Sequence, residues 1–75
     1  MLDKFGKLVR GIRITRGLLL YDMAKGLGIS SAELSAIECG KKPVPDWFIP
    51  ALEKTYGVGG TCAHMLFILS KNRGD

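Results

Sequence analysis

The sequence has 75 residues, of which 47% are hydrophobic and 24% charged, and a formal net charge of +4. This length predicts a single domain with a small core, and so many apolar residues exclude a disordered chain. The longest apolar run, residues 65–69, is too short to cross a bilayer, and the chain does not open on a signal-peptide pattern. Cys39 and Cys62 do not amount to a disulfide framework, so we expect a soluble cytoplasmic protein.

The positive charge is concentrated at the N-terminal end of the chain. Residues 1–16 contain five basic residues and one acidic residue, whereas acids and bases balance in the remainder. A basic surface favours polyanionic partners, which here are nucleic acid or an acidic membrane surface.

Five short helices and no strand are predicted, because apolar residues recur at helical spacing between glycine and proline breaks. The first helix covers about residues 3–16 and ends at Gly17, a residue type that commonly follows a helix. Its apolar stripe consists of four residues at the spacing i, i+3, i+4, i+7: Phe5, Leu8, Val9 and Ile12.

A tight turn joins the second predicted helix to the third. The second helix covers about residues 20–26, and Gly28 supplies the left-handed conformation that the turn needs. The third helix begins after Ser30, because Ser30 and Glu33 have the spacing of a capping box. In such a box the Ser30 hydroxyl caps the Glu33 amide, and the Glu33 carboxylate reaches back to the Ser30 amide. This helix ends at Gly40.

The last two predicted helices have less definite starts. Residues 41–45 form an extended linker, because residues before proline avoid the helical region. The fourth helix begins either with a kink near Asp46 or cleanly at Pro50. The fifth helix covers residues 61–70, with Thr61 as its candidate cap.

Two short helices joined by a three-residue turn that contains glycine are typical of the helix-turn-helix motif. A resemblance to a known family depends on the residue types, order and spacing of six segments. They are Gly17-Leu18, Met23-Ala24, Leu27-Gly28-Ile29-Ser30, Leu34-Ser35, Ile37-Glu38-Cys39-Gly40-Lys41 and residues 48–58. In these segments the chain resembles the Cro/repressor-like (XRE-type) helix-turn-helix family, which includes phage Cro proteins and lambdoid repressors. The resemblance covers about residues 5–58.

The resemblance implies a compact all-α fold, a five-helix domain like that of the lambda repressor, spanning residues 1–75. It implies a DNA-binding transcriptional regulator, a dimeric Cro-like repressor or autoregulator of a bacterium or phage-infected host cell. Its partner is then double-stranded DNA with a palindromic operator. The resemblance also implies an ion pair between Arg13 and Glu38. The chain departs from the family at residues 19–20, where two leucines replace the usual Thr-Gln.

The outer face of the third helix is the predicted base-reading surface. Alanine contacts a thymine methyl group, serine bonds either groove-edge partner, and glutamate accepts from cytosine. The predicted base-reading residues are Ser31, Ala32, Glu33, Ser35 and Ala36. Salt-sensitive phosphate contacts are predicted for basic and hydroxyl residues around them. These residues are Arg13, Tyr21, Ser30, Lys41 and Lys42. The alternative for both sets is an ordinary solvated surface.

The fifth helix is apolar on several faces, which predicts a symmetric homodimer contact or, alternatively, an enclosed core helix. The predicted contact residues are Met65, Leu66, Phe67, Ile68 and Leu69.

Neither metal binding nor catalysis is expected. Cys62 and His64 leave a structural zinc site short of ligands, and no nucleophile pattern accompanies the sole histidine. We therefore expect no metal, no cofactor and no enzymatic activity. Two rival functions are a protein-binding module, antitoxin-like or a phage inhibitor, that uses the apolar residues 18–21, and a nonspecific nucleic-acid binder.

Overall fold

The computed structural model describes residues 2–73, which contain five α-helices and no strand. The helices are α1 (Lys4–Thr15), α2 (Leu20–Leu27), α3 (Ser31–Glu38), α4 (Phe48–Tyr56) and α5 (Gly60–Lys71). The prediction of an all-helical chain is confirmed. The radius of gyration is 11.0 Å, near the value of about 11 Å for a compact chain of this length. No helix in residues 2–73 has the length and apolar character needed to cross a membrane.

One hydrophobic core lies where all five helices meet. The rings of Phe5 in α1 and Phe48 in α4 are 6.0 Å apart at its centre. The predicted stripe of α1 faces this core, with three of its residues buried and Leu8 half-buried. Each buried side chain of this size contributes about 1.5–3 kcal/mol. The core residues are Phe5, Val9, Ile12, Met23, Ala24, Leu34, Ile37, Phe48, Leu52, Val58 and Leu66.

The capping box predicted for α3 is half formed. Ser30 Oγ accepts a 3.0 Å hydrogen bond from the Glu33 amide, as predicted. The prediction that the Ser30 amide donates to the Glu33 carboxylate is wrong, because that carboxylate faces Lys42 with an Oε2–Nζ distance of 3.6 Å. The turn before α3 contains Gly28 at φ +78°, which confirms its predicted left-handed conformation.

The starts of α4 and α5 differ from both predictions. α4 begins at Phe48, between the two predicted starts, because its first helical hydrogen bond runs from the Ala51 amide to the carbonyl of the cap residue Trp47. Pro50 is the third residue of α4, where its missing N–H leaves no helical bond unmade. Thr61 lies inside α5 and does not cap it, since the extended residue Gly59 holds the cap position.

Glycine allows two helix pairs to approach closely. A Cβ on Gly6 of α1 would lie 1.9 Å from the carbonyl oxygen of Glu38 in α3. A Cβ on Gly26 of α2 would lie 2.1 Å from the hydroxyl of Tyr56 in α4. A side chain at Gly6 would push the α1 and α3 backbones apart, so Gly6 sets the α1–α3 separation, whereas a side chain at Gly26 would displace the Tyr56 side chain.

Candidate nucleic-acid interface

The outward face of α3 is fixed by what α3 buries. α2 and α3 each have eight residues and are separated by three, and the Ile29 amide donates to the Ala24 carbonyl across the turn. Leu34 and Ile37 are fully buried in the core. Because successive residues of a helix are about 100° apart, the opposite side of α3 faces away from the core.

The five predicted base-reading residues occupy this outward side unequally. The helical rotation places Ala32, Ser35 and Ala36 at its centre and Ser31 and Glu33 at its edges. Ala32 is exposed, and the other four are half-buried. The centre of the surface therefore has only small side chains, which let another molecule approach the α3 backbone closely.

Lys42 lies beside this surface because it pairs with Glu33. The two side chains remain 55% and 35% exposed, so their 3.6 Å contact contributes about 0–1 kcal/mol. Its effect is mainly to offset the one negative charge on the outer side of α3.

Arg13 and Glu38 form an ion pair between α1 and α3. Arg13 Nε lies 3.4 Å from Glu38 Oε2, and Arg13 Nη2 lies 3.5 Å from Glu38 Oε1. The side chains are only 14% and 5% exposed. Removing either partner would leave a buried charge without its counterion, which is costly.

The other four residues predicted to contact phosphate are more accessible than Arg13. Tyr21 is 62% exposed at the start of α2, and Ser30, Lys41 and Lys42 are exposed on either side of α3. The Ser30 hydroxyl accepts from Glu33, which leaves its own proton free to donate.

A C-terminal arginine that sequence reasoning missed ties three helices together. Arg73 Nε donates to Asp3 Oδ2 at 2.7 Å, and its Nη2 donates to the Ile37 and Glu38 carbonyls at the end of α3. Its guanidinium also lies 4.8 Å from the centre of the Phe5 ring. No periodic pattern surrounds Arg73, so the sequence offers no signal for this contact.

The Asp3 carboxylate both caps α1 and binds Arg73. Burial raises the pKa of Asp3. The hydrogen bond from the Gly6 amide and the nearby Arg73 guanidinium lower this pKa by more than burial raises it. The pKa of Asp3 therefore lies below its ordinary value. In Tyr56, burial first and the charge of Asp22 second raise the pKa of the hydroxyl.

The predicted dimer residues of α5 divide into two sets. Met65, Phe67 and Ile68 are exposed by 43%, 53% and 37%, so α5 is not enclosed within this chain. Leu66 is fully buried in the core, and its prediction as a dimer contact is wrong. Leu69 is half-buried and packs against the same core. Leu66 and Leu69 are three residues apart and therefore lie on the same side of α5, which is the side that faces the core.

The described residues include no cluster of three or more His, Cys, Asp or Glu side chains placed to hold a metal ion. Comparison with protein-family models, curated proteins and solved structures finds no match to this chain.

Proposed function

We propose that this protein is a sequence-specific DNA-binding transcriptional regulator of the Cro/repressor-like helix-turn-helix family, acting as a homodimer. The observation that carries the proposal is the arrangement of α2 and α3. Two eight-residue helices meet through a three-residue turn, and the second presents a surface of small side chains next to two exposed lysines. In this proposal α2, the turn and α3 are the helix-turn-helix, and α3 enters the major groove.

The roles of the α3 residues follow from their size. Ala32 and Ala36 contact thymine methyl groups, and Ser31 and Ser35 bond to base edges. Glu33 accepts from a cytosine amino group when Lys42 moves to a phosphate. The surface has no Arg, Asn or Gln for bidentate contacts, so specificity comes from several weak contacts and from the shape of the DNA.

Phosphate contacts orient the protein on the duplex. Lys41, Lys42, Tyr21 and Ser30 are exposed on either side of α3, as such contacts require. Arg13 has mainly a structural role in this proposal, because its side chain is mostly buried and pairs with Glu38. It holds α3 in place and reaches a phosphate only through its exposed edge.

The homodimer is supported by the exposed apolar residues of α5. Met65, Phe67 and Ile68 lie within four residues of one another, and a chain of this size gains burial from a second copy. A symmetric pair would place two copies of α3 in successive major grooves, about 34 Å apart.

The base-reading role is tested by changing one small residue on α3. Ala32→Gln introduces an amide that pairs with adenine, so we expect DNA selected from a randomised library to change at one position of each half-site. Thr61→Gln, an exposed helical position of α5, is the matched control and leaves the selected sequence unchanged. If Ala32→Gln selects the same DNA sequence as wild type, α3 does not read the bases.

A protein-binding module is the second candidate function. Ile14, Leu19 and Tyr21 are 60%, 70% and 62% exposed near the junction of α1 and α2. Exposed apolar residues grouped in this way are typical of protein contacts. Failure of any duplex to bind, together with loss of a protein partner in Leu19→Asp, would favour this function.

A further inference from the structure

A basic cavity of about 360 Å³ lies between the linker after α3 and the C-terminal end of α5. Four of its lining residues are basic and none is acidic: Lys41, Lys42, Lys71 and Arg73. Lys42 pairs with Glu33 and Arg73 pairs with Asp3, whereas Lys41 and Lys71 have no ion-pair partner in residues 2–73. The cavity therefore holds positive charge that the described part of the chain does not neutralise.

Arg73 gives this cavity a fixed wall. Its side chain is only 9% exposed and is held by Asp3 and by the last carbonyls of α3. Its Nη1 nitrogen is buried without a hydrogen-bond acceptor among the described residues. These contacts hold the segment that follows α5 against the end of α3 and the start of α1.

The cavity adjoins the outward side of α3. Lys42 reaches from the cavity to Glu33 in the first turn of α3, with 3.6 Å between Nζ and Oε2. The Lys42 side chain therefore connects the cavity to one of the residues proposed to read bases.

The Lys42 ammonium pairs with Glu33, and the Lys71 ammonium lies 5.2 Å from the centre of the exposed Phe67 ring. Among residues 2–73, the Lys41 ammonium has neither an ion-pair partner nor an aromatic contact. The Lys41 and Lys42 amides both donate to the Ala36 carbonyl, at 2.9 and 3.1 Å, and the Ser70 hydroxyl donates to the Phe67 carbonyl. Lysine binds phosphate as a flexible point charge, and several lysines suit a tetrahedral oxyanion. The volume falls in the lower part of the usual range for small-molecule sites.

We propose that this cavity is a phosphate-binding site in which Lys71 of α5 acts together with Lys41 and Lys42 of the linker. Two sources supply the same chemistry: a backbone phosphate of DNA and a small phosphate compound. The DNA source rests on the proposed function, whereas the site itself does not.

The site is tested by titrating the protein with inorganic phosphate at constant ionic strength while the amide shifts are followed by NMR. We expect saturable shifts in residues 40–42 and 70–71. Lys71→Gln should weaken this binding about tenfold. Lys54→Gln, an exposed change in the last turn of α4 and outside the cavity, is the matched control and should not weaken it. Shifts that do not saturate, or equal losses in both variants, would overturn the site.

A short DNA duplex then distinguishes the two sources. The occupant is a backbone phosphate if the duplex displaces inorganic phosphate and Lys71→Gln reduces the slope of log binding constant against log salt concentration by about one. If phosphate saturates the site and the duplex leaves it in place, the occupant is a small phosphate compound. If the duplex binds but phosphate does not saturate and Lys71→Gln leaves the salt dependence unchanged, the site is refuted while the proposed function stands.

Discussion

Two glycines in α1 give opposite predictions for the same substitution. Gly6 is buried against α3 and Gly11 is exposed, with nothing within 4 Å of the position of its Cβ. Both lie inside a helix, where alanine is favoured over glycine by about 0.8–1.0 kcal/mol. Gly11→Ala should therefore stabilise the protein by about that amount and raise Tm by about 4–8 °C.

Gly6→Ala gains the same helical preference but creates a collision. Its Cβ would lie 1.9 Å from the Glu38 carbonyl oxygen, so the α1 and α3 backbones must separate by about 1 Å. Overpacking of this kind costs about 1–3 kcal/mol, and a rigid backbone neighbour favours the upper end. We expect a net loss of about 2 kcal/mol and a fall in Tm of about 8–16 °C.

Urea and thermal unfolding of the two variants beside wild type measure the difference. Circular dichroism at 222 nm reports the loss of helix in both experiments. Gly6→Ala unfolding at the same urea concentration and temperature as Gly11→Ala would refute the close α1–α3 contact.

Three further predictions concern Arg73, Asp3 and the α5 surface. Arg73→Met should lower the free energy of unfolding by about 1–3 kcal/mol, because two α3 carbonyls and Asp3 lose a hydrogen-bond donor. Arg10→Met, at an exposed position of α1, should change the free energy of unfolding in urea by less than about 0.5 kcal/mol. Equal unfolding of these two variants would contradict the contact. Because the folded-state pKa of Asp3 is lowered, its contribution to stability is present above about pH 4 and is lost as the pH falls through the folded-state value. Asp3→Asn should therefore be less stable than wild type at neutral pH and show a smaller loss below pH 4, and parallel pH profiles would count against this linkage. Phe67→Glu should convert the dimer into a folded monomer, as measured by analytical ultracentrifugation. If wild-type protein is a monomer even at high concentration, α5 does not form a dimer contact.

Local signals in the sequence predicted much of the helical framework. The apolar spacing of α1 identified its buried side, and Ser30 and Gly28 located the start of α3 and the turn before it. These features depend on residues within one or two turns of each other, so a sequence pattern contains them.

Features that depend on distant residues could not be predicted in the same way. The Glu33 carboxylate faces Lys42 across the end of α3, and Arg73 reaches α1 and α3 from the far end of the chain. The apolar character of α5 on several sides predicts Leu66 as a dimer contact, and only the packing of α5 shows that this residue faces inward. The close contact at Gly6 depends on the Glu38 carbonyl of α3, which no pattern within α1 reveals.

We propose above that two copies of α3 read a symmetric DNA sequence. The most direct test of this proposal is selection of wild-type protein on a randomised duplex library at two salt concentrations, with sequencing of the bound DNA. We predict a palindromic motif, with half-sites about 10 base pairs apart, that is recovered at both salt concentrations. Binding only at low salt with no recovered motif would contradict specific recognition and indicate a nonspecific nucleic-acid binder.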